Sequence, residues 1–317
     1  MPIHERDPWR VQYFQDISCP PDVHIPTDDL DGYELNPRHR AIYDKLQVAR
    51  SQGLPCGPHD SPPRRYPVFC KPVVNLKGMG AGACVLRDER DFRQKCTPGH
   101  FWMRLLTGEH VSTDWAVVEG EAAWCRHTRG MPAVGGTFDY WKVEARARWR
   151  LERYCRDWIR RNLAGYTGML NVETIGGRII EAHLRFADQW PDLYGAGWVD
   201  AVVRLYQDRR WEYPQNRRLD GYSVVLFGPH GRPYRHPSPE RLRAYRAAPG
   251  IGSVQITFFE DKPAHAHAMP PGGFRLAVIN GHDLQAGMRL RSIMAHDFGL
   301  PEAARTVPLA APAPSPH

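Results

Sequence analysis

The segment NVETIGGRIIEAHLR, Asn171 to Arg185, constrains this chain more than any other. A Gly-Gly pair between two strand-like runs specifies an antiparallel hairpin, and the hairpin can bring two acids onto one surface. With a three-residue loop at Gly176 to Arg178, Glu173 falls opposite Glu181, their Cβ atoms roughly 5 Å apart. With a two-residue loop the register slips by one and the carboxylates part. In the first register two like charges repel unless a cation or a shared proton lies between them. Hard divalent ions such as Mg²⁺ take carboxylate oxygens and usually hold phosphates as well. Glu181, His183 and Arg185 alternate and so point to one side of a strand, beside apolar Ile179 and Ile180. A solvated hairpin face and a metal site are both consistent with these residues.

The rest of the chain supplies context. Of its 317 residues 42% are hydrophobic, enough for a core shared by two or three lobes. From Asn36 to Gly53, NPRHRAIYDKLQVARSQG reads as one helix: Asn36 caps it, Pro37 takes the first position and Gly53 stops it. YPVFCKPVV is a buried strand, NLKGMGAGA a glycine-rich loop and LRDERDFRQK a short helix. FWMRLL and HVSTDWAVVEGEAAWCRH are strand-like, the second broken by a Glu-Gly turn. KVEARARWRLERYCRDWIRRNLAG carries an apolar helical stripe from Val143 to Leu163 and, on its other face, seven arginines between Arg146 and Arg161. After the hairpin come a helix, GWVDAVVRLYQ, three strand-like runs, GYSVVLF, GSVQITFFE and GFRLAVI, and two flanking helices. Strands and helices mix without a βαβ rhythm, which makes the fold class α+β.

Composition removes several function classes. MPIHERDPWR lacks the apolar core of a signal peptide, and no stretch is long enough to span a membrane. The seven cysteines contain no CxxC pair, so neither a zinc site nor a disulfide framework is indicated, and free thiols fit the cytoplasm. The net charge of +7 suits an anionic partner, polymer or nucleotide. An arginine-rich helix face is usually just solvated, and the aromatics among those arginines, Trp149, Tyr154 and Trp158, read as core, which counts against nucleic acid. His265 and His267 form an HxH pair with no third ligand in view, a packing pattern first. Cys70, beside Lys71, reads as an inert strand cysteine.

Lys71 ends a buried strand just ahead of the glycine-rich loop, and Lys45 lies on the helix before it. The loop has Gly78, Gly80 and Gly82, whose amides can wrap phosphate oxygens, but it is neither a Walker A loop nor a dinucleotide fingerprint. In order, YDKLQVARSQGLPCGP, YPVFCKPVVNLKGMGAG, MRLLTGEHVSTD and NVETIGGRIIEAHLR resemble the motifs of ATP-grasp ligases. The biotin-carboxylase-like, carboxylate–amine ligase branch is the most similar, over roughly residues 40 to 190.

The resemblance implies an α+β ATP-grasp fold, two lobes clasping a nucleotide, with a β-rich C-terminal subdomain. It divides the chain into an irregular segment at 1–35, a small lobe with the flap at 36–103, a large lobe with the metal site at 104–208, a C-terminal α+β subdomain at 209–300 and a disordered tail at 301–317. It implies Lys45 and Lys71 as nucleotide lysines and Asn75 to Gly82 as the flap over the triphosphate. Met103, Arg104, Leu105 and Leu106 match the adenine hinge, and Glu109 the acid near the ribose. Glu173, Glu181 and His183 match the metal residues, with Mg²⁺ the ion and Mn²⁺ the alternative. Arg185 and Lys71 are the implied catalytic residues, Lys71 binding ATP phosphate and Arg185 placed to steady the acyl phosphate or the carboxylate. The implied reaction is the ATP-dependent joining of a small-molecule carboxylate to an amine. Two residues depart from the pattern: Arg104 stands where the hinge is often acidic, and His183 where the family has Asn. The α/β domain that family members carry ahead of the first lysine has only Met1 to Asp44 in its place, so it is expected to be absent or vestigial. A degenerate ATP-grasp domain that binds nucleotide without ligating is the alternative, and a basic nucleic-acid-binding protein a weaker one. The substrate and the oligomeric state, a homodimer included, are not written in the sequence.

Overall fold

The computed structural model describes residues 7–76, 80–214, 218–267 and 269–301; Gly78 of the glycine-rich loop and the tail from residue 302 lie outside them. The chain forms two compact units. The first runs to Arg129 and resumes over Val143–Asp220; the second comprises Gly130–Lys142 and the chain from Gly221.

The first unit opens with two short helices, α1 (Pro8–Val11) and α2 (Asp29–Leu35), the second capped by the Asp28 carboxylate. The stretch from Asn36 to Gly53 is not one helix. A 3₁₀ turn covers Pro37–Tyr43, and α3 (Lys45–Ser51) begins afresh after it. Asp44 makes the break. Its backbone is extended, its carboxylate accepts from the Gln47 amide at 2.9 Å, and the Lys45 amide donates to Val73 O at 2.9 Å. Asn36 spends its side chain on Gly32 O instead of capping. The interruption puts Lys45 at the start of a helix, where its position is set by the cap.

Four short strands follow: β1 (Cys56–Pro58), β2 (Val68–Pro72), β3 (Cys84–Leu86) and β4 (His100–Arg104), in the antiparallel order β1–β4–β2–β3. The helix α4 (Glu89–Lys95), capped by Asp88, buries Phe92 with Val68, Cys70, Leu86 and Trp102. The strands β5 (His110–Val118) and β6 (Glu121–Pro132) form a hairpin; β7 (Phe138–Val143) comes next in the chain. Because Val143 ends a strand, the arginine-rich helix α5 (Trp149–Asn162) starts later than its stripe suggests. Then come β8 (Gly168–Ile175), β9 (Arg178–His183) and α6 (Trp198–Asp208). Within this unit the order is β6–β5–β8–β9.

The alternation along β5, β8 and β9 separates two faces. Trp115, Leu170, Val172, Ile179 and Ala182 enter a core with Cys155, Trp158 and Ile159 of α5. Each large apolar side chain buried there contributes about 1.5–3 kcal/mol. His110, Ser112, Asp114, Asn171, Glu173, Glu181 and His183 share the other face. That polar face gathers the acids and the histidine singled out in the hairpin.

The second unit contains β10 (Gly221–Gly228), α7 (Pro239–Arg246), β11 (Ile251–Ile256), β12 (Phe274–Gly281) and α8 (Leu284–Asp297). Its strands follow the order β11–β12–β10–β7. Val224, Leu226, Val254, Leu276 and Ile279 pack with Leu290 and Met294 of α8. Among the described residues no helix is long and apolar enough to cross a membrane. Helices and antiparallel sheets together make the molecule α+β.

Candidate functional site

The two glutamates do stand opposite each other, by a route the residue spacing did not show. The β8–β9 turn has two residues, Gly176 (φ 55°) and Gly177 (φ 75°), with Ile175 paired to Arg178 and Thr174 to Ile179. On that register alone Glu173 would face Ile180. A β-bulge at Ile180 restores the match: Glu173 pairs with Glu181, Val172 with Ala182 and Asn171 with His183. The bulge lets Ile179 and Ala182 both join the core while Glu181 and His183 stay on the polar face.

Side chains from elsewhere in the first unit satisfy the backbone at the bulge. Gln52, at the end of α3, accepts from Ile179 N at 2.8 Å and donates to Ile179 O at 2.8 Å. Lys71 Nζ, at the end of β2, donates to Ile180 O at 2.7 Å. The Tyr154 hydroxyl of α5 donates to the Gln52 amide oxygen at 2.7 Å. A buried backbone group needs such a partner, so the bulge and these side chains depend on each other. Gly176 is required as well: an added Cβ would lie 2.2 Å from Thr107 O.

Charge gathers around the glutamate pair. Lys45 forms an ion pair with Glu181 Oε2, and His110 Nε2 lies 2.8 Å from Glu173 Oε2. Burial pulls the Lys71 ammonium down to about 8; Glu181 opposes that shift and Lys45 adds to it. Burial disfavours an ionised Glu181, yet Lys45, His183 and Lys71 together hold it well below the usual carboxylate range. Burial acts on Glu173 in the same way, and the His110 hydrogen bond keeps it ionised at lower pH than usual.

His183 and Arg185 converge on Asp29, the first residue of α2. His183 Nδ1 lies 2.9 Å from Asp29 Oδ1; Arg185 Nε donates to the same oxygen at 3.0 Å and Nη2 to Oδ2 at 3.4 Å. His183 Nε2 is buried and has no hydrogen-bond partner among the described residues. Glu173, Glu181 and His183 offer donor atoms within 4.8 Å of one another, so the set fits one divalent cation. Cys125, His127 and Glu152 lie equally close, which the cysteine spacing did not reveal. There, however, His127 is engaged on both ring nitrogens, by Thr113 Oγ1 at 3.0 Å and Glu152 Oε1 at 3.2 Å.

The remaining candidates scatter. Gly80 and Gly82 have positive φ, 63° and 76°. Met103 is buried in β4 and paired with both Cys56 and Phe69, so its backbone belongs to the sheet. Arg104 is exposed, and its amide donates to Pro55 O at 2.8 Å. Leu105 and Leu106 follow the end of the strand. The Glu109 carboxylate pairs with Arg129 at 3.2 Å and Arg148 at 2.7 Å, not with the glutamate pair. Several arginines of the α5 region are likewise engaged: Arg148 with Glu144, Arg160 with Glu121, Arg156 with Ala122 O. His267 Nε2 accepts from Phe259 N at 2.9 Å, a packing role.

Three contributors escaped the sequence reading. Asp29 sits in a segment read as irregular; its only signal is the cap pattern TDDLDGYEL, which does not point to residue 183. His110 adjoins Glu109 and takes the partner expected of a site residue. Asp114, 1% exposed, accepts from Asn171 Nδ2 at 2.7 Å, Ala187 N at 3.0 Å and the Tyr194 hydroxyl at 2.7 Å. Burial pushes its carboxyl up to about 6 against those hydrogen bonds. It ties the chain after β9 to β5.

No family model matches this chain, and neither does any curated protein. Solved structures do. The L-amino acid ligase from Bacillus licheniformis is 11% identical, with a TM-score of 0.57 over 84% of this chain and 72% of the other. The phosphoribosylamine–glycine ligase from Thermotoga maritima is 14% identical, with a TM-score of 0.58 over 90% and 84%. Carboxyaminoimidazole ribonucleotide synthase from Aspergillus clavatus, complexed with ATP, is 12% identical, with a TM-score of 0.54 over 82% and 72%. The likeness is one of fold: the chain has the ATP-grasp fold of these ligases.

Proposed function

We propose that this protein is an ATP-dependent ligase that joins a small-molecule carboxylate to an amine through an acyl phosphate. The observation that carries the reading is the bulge-set pair Glu173–Glu181 beside two buried lysines, Lys45 and Lys71, on an ATP-grasp fold. Two proteins whose fold it shares are ligases named for amino-acid or amine substrates, and a third, a synthase, is complexed with ATP.

Lys45 and Lys71 supply the positive charge that phosphate oxygens need. Transfer of Lys45 from Glu181 to a phosphate leaves that carboxylate free for a cation. Gly80 and Gly82, with their left-handed backbone, suit a loop whose amides face phosphate. Leu105 and Leu106 offer backbone for the adenine edge. Arg185, oriented by Asp29, steadies the substrate carboxylate or the acyl phosphate. A divalent cation on Glu173 and Glu181 would neutralise charge on the phosphates as it develops. A carboxylate oxygen takes the γ-phosphoryl group and ADP leaves. The amine then attacks the acyl carbon, loses a proton, and phosphate departs with that oxygen.

The test is ADP release from ATP with Mg²⁺ or Mn²⁺ and pools of carboxylates and amines. Substrate-dependent ADP that disappears in Glu181→Gln supports the ligase. A second reading, a nucleotide-binding domain that does not ligate, is favoured by one observation: the guanidinium of Arg185 is held by Asp29 on two of its nitrogens. ATP binding without turnover on every pool would select it.

A further inference from the structure

We propose that His183 is a nitrogen ligand in this site, locked in one tautomer by Asp29, and that the site therefore takes a divalent transition ion, Mn²⁺, in preference to Mg²⁺. The inference rests on the metal reading of the Glu173–Glu181 pair. It adds the ligating atom of His183, a positioning residue, and the ion the site prefers.

The argument starts from the ring. His183 is 4% exposed and its Nδ1 lies 2.9 Å from Asp29 Oδ1. Asp29 also takes two donors from Arg185, so its carboxylate is an acceptor only. Nδ1 then donates to Asp29, so the ring nitrogen left to face a cation is Nε2. Tyr43 meets the ring edge-on at 6.4 Å between centroids and receives the Leu184 amide at 3.1 Å, so the neighbouring backbone is fixed too. Nε2 is buried with no hydrogen-bond partner among the described residues. A buried ring nitrogen left without a partner is costly, and a cation shared with the Glu173 and Glu181 carboxylates removes the cost. His127 is the contrast within the same unit, because both of its nitrogens are occupied.

The donor set decides the ion. Mg²⁺ demands oxygen ligands in near-ideal octahedral geometry, whereas imidazole suits first-row transition ions. A carboxylate that holds the far nitrogen of a ligating histidine orients the ring and raises its basicity. Asp29 has that place. Lys45 on Glu181 and His110 on Glu173 compete for the carboxylates, so the ion is expected to enter with the nucleotide, which draws Lys45 away.

The test uses the full chain with Mn²⁺ and a non-hydrolysable ATP analogue, read by electron spin-echo envelope modulation. The proposal predicts ¹⁴N modulation from a directly bound imidazole, converted to a ¹⁵N signature when histidine is ¹⁵N-labelled. That measurement needs no variant and separates the ring from adenine nitrogen. The signal should vanish in His183→Asn and persist in His110→Asn. Asp29→Asn should keep the nitrogen signal but weaken Mn²⁺ binding roughly 10–100-fold, with partial rescue by Asp29→Glu. Competition with Mg²⁺ should show a Mn²⁺ preference that shrinks in His183→Asn. Bound Mn²⁺ with no histidine coupling, or an ion preference unchanged in His183→Asn, overturns the proposal and leaves the ligase reading standing. Histidine coupling without ADP release on any substrate pool supports the proposal and sinks the ligase reading. Failure of both ions to bind with the analogue overturns the proposal together with the metal reading of the glutamates.

Discussion

The β8–β9 pair and the β10–β12 pair each carry a bulge, and they put it to different uses. In β12 the extra residue is Leu276, between the pairs Leu226–Ala277 and Phe227–Arg275; its side chain is fully buried in the core of the second unit. In β9 the extra residue is Ile180, only half-buried, and its carbonyl receives Lys71. One irregularity fills space. The other sets the register of two charged side chains, and Gln52 and Lys71 satisfy its backbone. A bulge therefore has no meaning on its own: what binds its exposed backbone groups, and where its extra side chain goes, decides whether it serves packing or chemistry.

The sharpest way to break this comparison is to truncate both extra residues. Leu276→Ala should cost about 2–5 kcal/mol in denaturant unfolding, because it leaves a cavity in a core. Ile180→Ala should cost only about 1 kcal/mol, since the carbonyl survives the change. Equal costs would show that both bulges are packing devices. Next in size is Glu181→Gln, which removes a charge at the point the β9 bulge sets. It should lower turnover by more than about a hundredfold while far-ultraviolet circular dichroism stays native.

The turn offers a smaller, cleaner contrast. Gly176→Ala should lose about 2 kcal/mol or more, from the left-handed backbone and the clash with Thr107 O. Gly177→Ala, with none of the described residues within 4 Å of its added Cβ, should lose about 1 kcal/mol, measured by the same unfolding curves. The remaining effect is a pH dependence. Lys71 sits at about 8 in the folded protein, below its ordinary value, so the folded state binds fewer protons than the unfolded chain from about pH 8 up to the ordinary lysine value. Stability contributed by Lys71 therefore rises with pH across that window. Nucleotide affinity should move the other way, falling by up to about tenfold per pH unit above 8 as the ammonium is lost. Calorimetric titration with the ATP analogue should show this slope in the native protein and not in Lys71→Met.

Much of the fold was legible because the apolar periodicities of β2, β5, β10, β12 and α6 are local properties of their residues. The acidic pair was legible too, but for an incomplete reason. Opposition of Glu173 and Glu181 pointed to a three-residue loop; the chain uses a two-residue turn and a bulge. A bulge depends on partners distant in sequence, here Gln52 and Lys71, and no spacing within the hairpin encodes them. The same holds for Asp29, joined to His183 across 154 positions. The helix at Asn36 to Gly53 failed differently: two caps competed, and the one at Asp44 prevailed once the Lys45 amide found Val73 O. Residues whose role is set by a contact across the fold are the ones a single sequence hides.

The central claim, that a carboxylate is phosphorylated beside Glu173 and Glu181, is tested most directly by oxygen transfer. The protein is incubated with ATP, Mg²⁺ or Mn²⁺, amines, and a pool of carboxylates labelled with ¹⁸O, and the released phosphate is weighed by mass spectrometry. One ¹⁸O in the phosphate for each ADP formed, abolished by Glu181→Gln, is the predicted result; ADP formed with unlabelled phosphate would contradict it.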